Sequence, residues 1–272
     1  MTPPAGDPPR LPAAFDLTGR VALVTGSGGP TGIGFASARM LAQLGAAVLL
    51  TSLSPRCAER AEELRAAGAD AHAVPADLTV PADADLLVGT ALERWGRVDV
   101  VVNNAGMVSV ADPDGWSESG SFTELDVDVW RASLARNLDS AYLVSRAALP
   151  PMVDAGFGRV VMVASVTGPV MAMRAEPAYA AAKAGMVGLA RALAVDTAAH
   201  GVTVNAVAPG WIATGSQTEH EREQGLVTPV GRSATPDEVA AAVAWLATPG
   251  AAYVTGQCLV VDGGNSVAEE RS

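Results

Sequence analysis

Residues 20–34 read Arg20-Val21-Ala22-Leu23-Val24-Thr25-Gly26-Ser27-Gly28-Gly29-Pro30-Thr31-Gly32-Ile33-Gly34. An apolar run of strand length enters a glycine-rich turn, and the turn opens into helical spacing over 32–44. Glycines let a backbone turn tightly and come close to a ligand, while a helix start offers unpaired N–H groups and the positive end of its dipole. Strand, glycine loop and helix in that order make a phosphate cradle. No Gly-Lys-Ser/Thr follows, so a nucleoside-triphosphate loop is not supported. The expected ligand is a dinucleotide held by Gly26, Gly28, Gly32, Ile33 and Gly34, against a glycine turn that serves structure alone.

The pattern repeats outward from this unit. Further strands are expected over 46–51, 71–75, 98–102, 159–164, 202–208 and 257–261. Helices are expected over 55–67, over 81–95 behind Thr79 as cap, over 126–155 with an interruption at Pro150-Pro151, and over 177–199. Thr235-Pro236-Asp237-Glu238 is a complete helix start, with Thr as N-cap, Pro at the first helical position and Glu at the third. The strands are continuous apolar runs, the pattern of a parallel sheet covered on both faces. The fold expected is α/β, a doubly wound three-layer sandwich around a seven-stranded parallel sheet, with residues 1–16 a Pro-rich tail and 17–272 one domain. The long irregular stretches, 107–121 and 213–232, follow strand ends on the carboxyl edge, where ligands bind in such sheets.

Composition narrows the classes. The chain of 272 residues is 49% hydrophobic and 17% charged, which excludes a disordered chain. A net charge of −11 gives no broad attraction to a nucleic-acid backbone. Two cysteines, Cys57 and Cys258, make no disulfide framework. The three histidines, His72, His200 and His220, are dispersed, so no metal is expected. No long uncharged apolar run marks a membrane span, and an intracellular, cytoplasmic protein is the working class.

The end of the second strand decides which dinucleotide is favoured. An NAD site usually places an acid there for the ribose hydroxyls. This chain has Leu50-Thr51-Ser52-Leu53-Ser54-Pro55-Arg56 instead. Ser52, Ser54 and Arg56 could bind a 2′-phosphate that a carboxylate would repel, so NADP(H) is expected ahead of NAD(H). Against this, the glycine loop itself supplies no Lys or Arg. Tyr179 and Lys183, four apart on one helix, share a face. An ammonium beside a phenol favours the phenolate, which suits Tyr179 to move a proton at a carbonyl or alcohol oxygen. A packed aromatic beside a solvated lysine is the bland alternative. A serine-hydrolase reading of Ser165 lacks the Gly-x-Ser-x-Gly elbow.

From residue 17 to residue 264 the chain resembles the short-chain dehydrogenase/reductase family, and most nearly its ketoreductases akin to 3-oxoacyl-carrier-protein reductase. The matching signatures are the glycine loop, Asp77-Leu78, Asn103-Asn104-Ala105-Gly106, Asn137, Ser165, Tyr179-Ala180-Ala181-Ala182-Lys183, Pro209-Gly210 and Asp262-Gly263-Gly264. The resemblance implies a Rossmann-type domain, hydride transfer between nicotinamide C4 and a carbonyl or alcohol carbon, and a homotetramer, or a homodimer, paired through two long helices. It implies Tyr179 as acid/base, Lys183 also on the nicotinamide ribose, Ser165 on the substrate oxygen and Asn137 on a water reaching the lysine. Asp77 and Leu78 match the adenine-binding pair. Asn103, Ala105 and Gly106 match the ribose and pyrophosphate side, and Pro209, Gly210, Ile212 and Thr214 the cover of the nicotinamide.

Two departures stand out. Ser27 to Thr31 puts five residues where the family loop carries three, and the connection from Gly106 to Asn137 is longer than in compact members. The second addition centres on residues 112–120, with Trp116 as a candidate pocket wall or subunit contact. The expected activity is NADPH-dependent reduction of a small ketone. An NAD-dependent secondary-alcohol dehydrogenase and a catalytically silent cofactor-binding protein are the alternatives. A carrier-protein partner is disfavoured, because Asp112, Asp114, Glu118, Glu219, Glu221 and Glu223 surround the entrance against Arg222. Met107, Val108, Val170, Met171, Met173 and Trp211 are candidate apolar walls.

Overall fold

Seven parallel strands lie in the order β3-β2-β1-β4-β5-β6-β7 in the computed structural model, which describes residues 11–106 and 119–270. They are β1 (Val21–Val24), β2 (Ala47–Leu50), β3 (Ala71–Ala73), β4 (Val100–Asn103), β5 (Gly158–Val163), β6 (Val202–Pro209) and β7 (Cys258–Val261). The helices are α1 (Ile33–Gln43), α2 (Arg56–Ala66), α3 (Pro81–Trp95), α4 (Val127–Leu134), α5 (Ser140–Asp154), α6 (Pro177–Thr197), α7 (Glu219–Leu226) and α8 (Pro236–Ala247). The order reverses between β1 and β4, and their carboxyl ends flank the crevice where such sheets bind ligands.

The central strands are apolar on both sides because both sides are covered, whereas the edge strand β7 leaves Leu259 and Val260 exposed. Ala22 and Val24 belong to the core beneath α1, α2 and α8, whereas Val21 and Leu23 belong to the core beneath α3, α5 and α6. Val48 and Leu50 alternate with Leu49 in the same way, as the two-residue period of a strand requires. Deleting a fully buried side chain such as Leu23 costs roughly 2–5 kcal/mol. Helix α6 and its short continuation, Pro177–His200, is long and apolar enough in composition to cross a membrane. Here it lies against β6 and buries Met186, Ala190 and Ala194 in the second core.

Helix ends follow local chemistry, with three departures from expectation. The Thr235 hydroxyl and the Glu238 carboxylate cap each other's backbone around Pro236, as the sequence predicts. Thr79 does not cap α3. Its N–H and hydroxyl both donate to Asp77, and Val80 becomes the N-cap of a helix whose Pro81 needs no amide partner. The break in the long helix lies not at Pro150-Pro151, which sit inside α5, but at a π-helical turn, Ala135–Asp139. Near the end of α5 the prolines remove only amide donors, whereas the wide turn upstream adds a residue to the helical circuit. Finally, the stretch 213–232 is not wholly irregular, because Thr218 and Glu221 form a capping box that starts α7.

Candidate active site

The glycine loop is clamped from behind by two side chains. The Thr25 hydroxyl accepts from the Asn104 and Ala105 amides, each at 2.9 Å. Asn104 Nδ2 donates back to the Thr25 and Gly26 carbonyls at 3.0 and 3.1 Å. Gly26 has φ +65°, and a β-carbon there would stand 2.8 Å from Ala105 Cα. At Gly34 a β-carbon would stand 2.5 Å from both Asn104 Nδ2 and the Gly26 carbonyl oxygen. The loops after β1 and β4 thus touch, and glycine is what allows it. Thr25 and Asn104 both lie within the quoted signatures, and their clamp is an addition to the residues the sequence singles out. Helix α1 begins at Gly32 with no side-chain cap and no acid in its first turn. That uncapped helix start, beside a backbone cleared of β-carbons, fits an anionic pyrophosphate.

The predicted adenosine side comes together at the end of β2. A β-carbon on Gly28 would stand 2.6 Å from Ser52 Oγ. Ser52 Oγ donates to the Ser54 carbonyl at 2.7 Å, and Arg56 Nε donates to Ser54 Oγ at 3.0 Å. Arg56 is exposed. Asp77 and Leu78 lie four residues or more past the end of β3 and are not part of the strand. The Ala76 amide donates to the Ser52 carbonyl at 3.1 Å, which keeps the pair beside Ser52.

The candidate catalytic residues meet on the other side of the crevice. Lys183 is buried, and its Nζ donates to the Val163 carbonyl at 3.1 Å, lying 5.5 Å from the centre of the Tyr179 ring. Asn137 sits in the π turn and donates through Nδ2 to the Ser133 carbonyl at 3.1 Å. Gly106 joins them: with φ +151°, a β-carbon on it would stand 2.6 Å from Asn137 Oδ1 and 3.3 Å from Lys183 Nζ. Ser165 lies two residues beyond β5, half-buried, with its hydroxyl accepting from the Thr167 amide at 3.1 Å. The Val166 amide donates to the Pro209 carbonyl at 2.9 Å, so the Ser165 turn adjoins the Pro209-Gly210 turn. Gly210 packs on Asp262, where a β-carbon would stand 2.7 Å from the Asp262 Cβ. Ile212 is buried and bridges Ala234, and Thr214 is half-buried beside Ser216.

Asn103 is expected on the ribose and pyrophosphate side and to tie neighbouring strands. Its side chain is buried and donates to Ser145 Oγ on α5 at 2.9 Å, tying the sheet to a helix, and also reaches Met162 on β5 at 3.3 Å. Met107, Val108, Asp112, Asp114, Trp116 and Glu118 lie outside the described residues. Met171 and Met173 are half-buried and Val170 is exposed. Among the described residues no group of three or more His, Cys, Asp or Glu could hold a metal ion.

A nucleotide cradle at the switch point of a parallel sheet, facing a tyrosine–lysine pair, defines a class: oxidoreductases that use a nicotinamide dinucleotide. A family model described as enoyl-(acyl carrier protein) reductase matches residues 26–266. The chain is 38% identical over 253 residues to a 3-oxoacyl-[acyl-carrier-protein] reductase of Synechocystis, covering 91% of this chain and 97% of that protein. It is 40% identical over 249 residues to the cis-4-hydroxycyclohexanecarboxylate dehydrogenase of Sinomonas cyclohexanicum, covering 90% and 96%. A solved structure of a gluconate dehydrogenase, so described provisionally, from Agrobacterium tumefaciens superposes with a TM-score of 0.85 at 32% identity, covering 94% of this chain and all of that one. The chain belongs to the short-chain dehydrogenase/reductase family, near its 3-oxoacyl-carrier-protein-reductase-like members. It is an NAD(P)-dependent oxidoreductase acting on carbonyl or alcohol groups.

Proposed function

We propose that residues 17–272 act as one domain that reduces a small ketone with NADPH, or oxidises the matching secondary alcohol. The observation that carries the cofactor preference is the end of β2, where Arg56 is held by Ser54 beside Ser52 and no acid stands. A guanidinium and two hydroxyls attract a 2′-phosphate, while the carboxylate that would exclude it is missing. The glycine loop and the start of α1 hold the pyrophosphate, Asp77 and Leu78 the adenine, and Ala105 and Gly106 the adjoining ribose, with Asn103 bracing the sheet beneath.

The bound nicotinamide supplies the hydride. Tyr179 donates its hydroxyl proton to the carbonyl oxygen as the carbon is reduced, and takes it back in the reverse direction. Lys183, fixed by the Val163 carbonyl, places a positive charge beside Tyr179 and favours the phenolate left behind. Ser165 donates a hydrogen bond to the same substrate oxygen, and Asn137 holds the polar route by which the lysine regains a proton. Pro209, Gly210, Ile212 and Thr214 cover the reacting end and exclude water.

A free ketone is favoured over a carrier-bound one because Glu219, Glu221 and Glu223 repel an acidic carrier, and Arg222 is already paired with Glu219. We assign a cytoplasmic homotetramer or homodimer on the family pattern, in which exposed Tyr142 on α5 and Val195 on α6 lie on the helices that would pair. The second reading, an NAD-dependent alcohol dehydrogenase, is favoured by the lack of any Lys or Arg in the glycine loop. Absorbance at 340 nm with NADPH and NADH over a panel of ketones separates the two. Turnover with NADPH is expected, and turnover confined to NADH would overturn the cofactor assignment.

A further inference from the structure

The residues by which the glycine loop exceeds its family pattern have a definite place. The Gly32 amide donates to the Gly29 carbonyl at 3.3 Å, closing a turn with Pro30 and Thr31 at its corners. Pro30 fixes its own φ, and Thr31 projects outward and is exposed. In the segment after β6, the Gln217 amide donates to the Thr214 carbonyl at 3.1 Å, closing a second turn with Gly215 at its first corner. A β-carbon on Gly215 would stand 2.6 Å from Thr31 Oγ1. The two turns therefore meet tip to tip, and the glycine permits the approach.

Both turns are held from below. The first runs directly into α1, and Gly28 on its other side packs against Ser52. The second is anchored by the Ala213 amide on the Ala234 carbonyl at 2.8 Å and the Ala234 amide on the Trp211 carbonyl at 2.9 Å. Gln217 Nε2 adds a bond to Ser233 Oγ at 2.8 Å. The two tips that meet are thus each anchored to the body of the fold.

We propose that the Pro30–Thr31 turn and the Gly215 turn form a clasp that retains the bound dinucleotide, with Thr31 and Gly215 setting its dissociation rate. This rests on the reading that the glycine loop holds the pyrophosphate and residues 209–214 cover the nicotinamide end. The contact joins the segments assigned to the two halves of one ligand, so release requires the tips to part. The tip lies within residues 27–31, the stretch in which this loop is longer than the family pattern.

The experiment is stopped-flow displacement of NADPH, followed by its fluorescence, with thermal melts of the cofactor-free protein alongside. Removing Pro30 and Thr31 together should raise the dissociation rate about tenfold, equivalent to about 1.4 kcal/mol, with little change in the melt. Gly215→Val should raise it as well by forcing the tips apart. Thr31→Gly placed in that background should add no further loss, because the clasp is already open. If the deletion fails to fold, Thr31→Gly and Gly215→Val alone decide, since both keep the loop length. An unchanged dissociation rate in these variants, or full additivity in the double variant, overturns the clasp. If wild type binds NADPH and Gly28→Val abolishes binding while the clasp variants release it normally, only the clasp fails. If wild type binds neither NADPH nor NADH, the cofactor reading fails and the clasp with it.

Discussion

Arg56→Ala is the sharpest probe of cofactor choice. Arg56 Nε is fixed on Ser54 Oγ at 3.0 Å, which orients the guanidinium while leaving its outer nitrogens for a phosphate. A hydrogen bond to a charged group contributes about 1.5–3 kcal/mol when sheltered. Arg56 is exposed, so solvent screening lowers this to about 1–2 kcal/mol. At about 1.4 kcal/mol per tenfold, NADPH affinity should fall about 5- to 30-fold. NADH lacks the 2′-phosphate and should change by less than about twofold, since none of the lost interaction is made to it. Ser52→Asp should go further, adding repulsion beside the site and inverting the preference toward NADH. Dissociation constants for both dinucleotides, by fluorescence titration at low and high salt, provide the test. The Arg56 effect should shrink as salt rises. Equal losses for NADH and NADPH, or none for NADPH, would refute the reasoning.

Gly34→Ala should weaken both dinucleotides by about 5- to 140-fold, because a β-carbon 2.5 Å from a backbone oxygen must open the cradle at a cost of about 1–3 kcal/mol; the same titration reads it. Asp99→Ala concerns stability alone. That carboxylate is 1% exposed and accepts from Arg20, Arg97 and the Val21 amide. Its removal should cost about 3 kcal/mol by urea unfolding, at the low end for a broken buried pair because both arginines can rehydrate. Glu238 is held down at about 2 by the Arg232 guanidinium and the Thr235 amide. Its contribution is present above the unfolded value of 4.5 and is lost as pH falls through about 2. Urea midpoints of wild type and Glu238→Gln should therefore converge as pH falls from 6 toward 2.

The fold was legible because the central strands are covered on both faces and so read as largely apolar runs, with glycine, proline and capping residues between. The Thr235–Glu238 start was legible for the same reason, since its chemistry is confined to four neighbours. The Thr218–Glu221 box has the same local form, but a weakly amphipathic, charge-rich helix behind it gave no apolar period to confirm it. What escaped the sequence is pairing across distance. Asp77 at the foot of α3 competes for Thr79, and the π turn that carries Asn137 has no local signature. Thr25 and Asn104 are far apart in the chain, and their hydrogen bonds exist only once β1 and β4 pair. Gly106 looked like a cofactor contact, yet its position against Asn137 and Lys183 also makes it the joint between the two halves of the site.

The central claim is that Tyr179 moves the proton while the nucleotide is held elsewhere. The direct measurement is Tyr179→Phe, assayed at 340 nm with NADPH and an accepted ketone, with the NADPH dissociation constant measured on the same sample. Turnover should fall by about 100-fold or more with the dissociation constant within about threefold of wild type. Turnover near wild type would contradict the account.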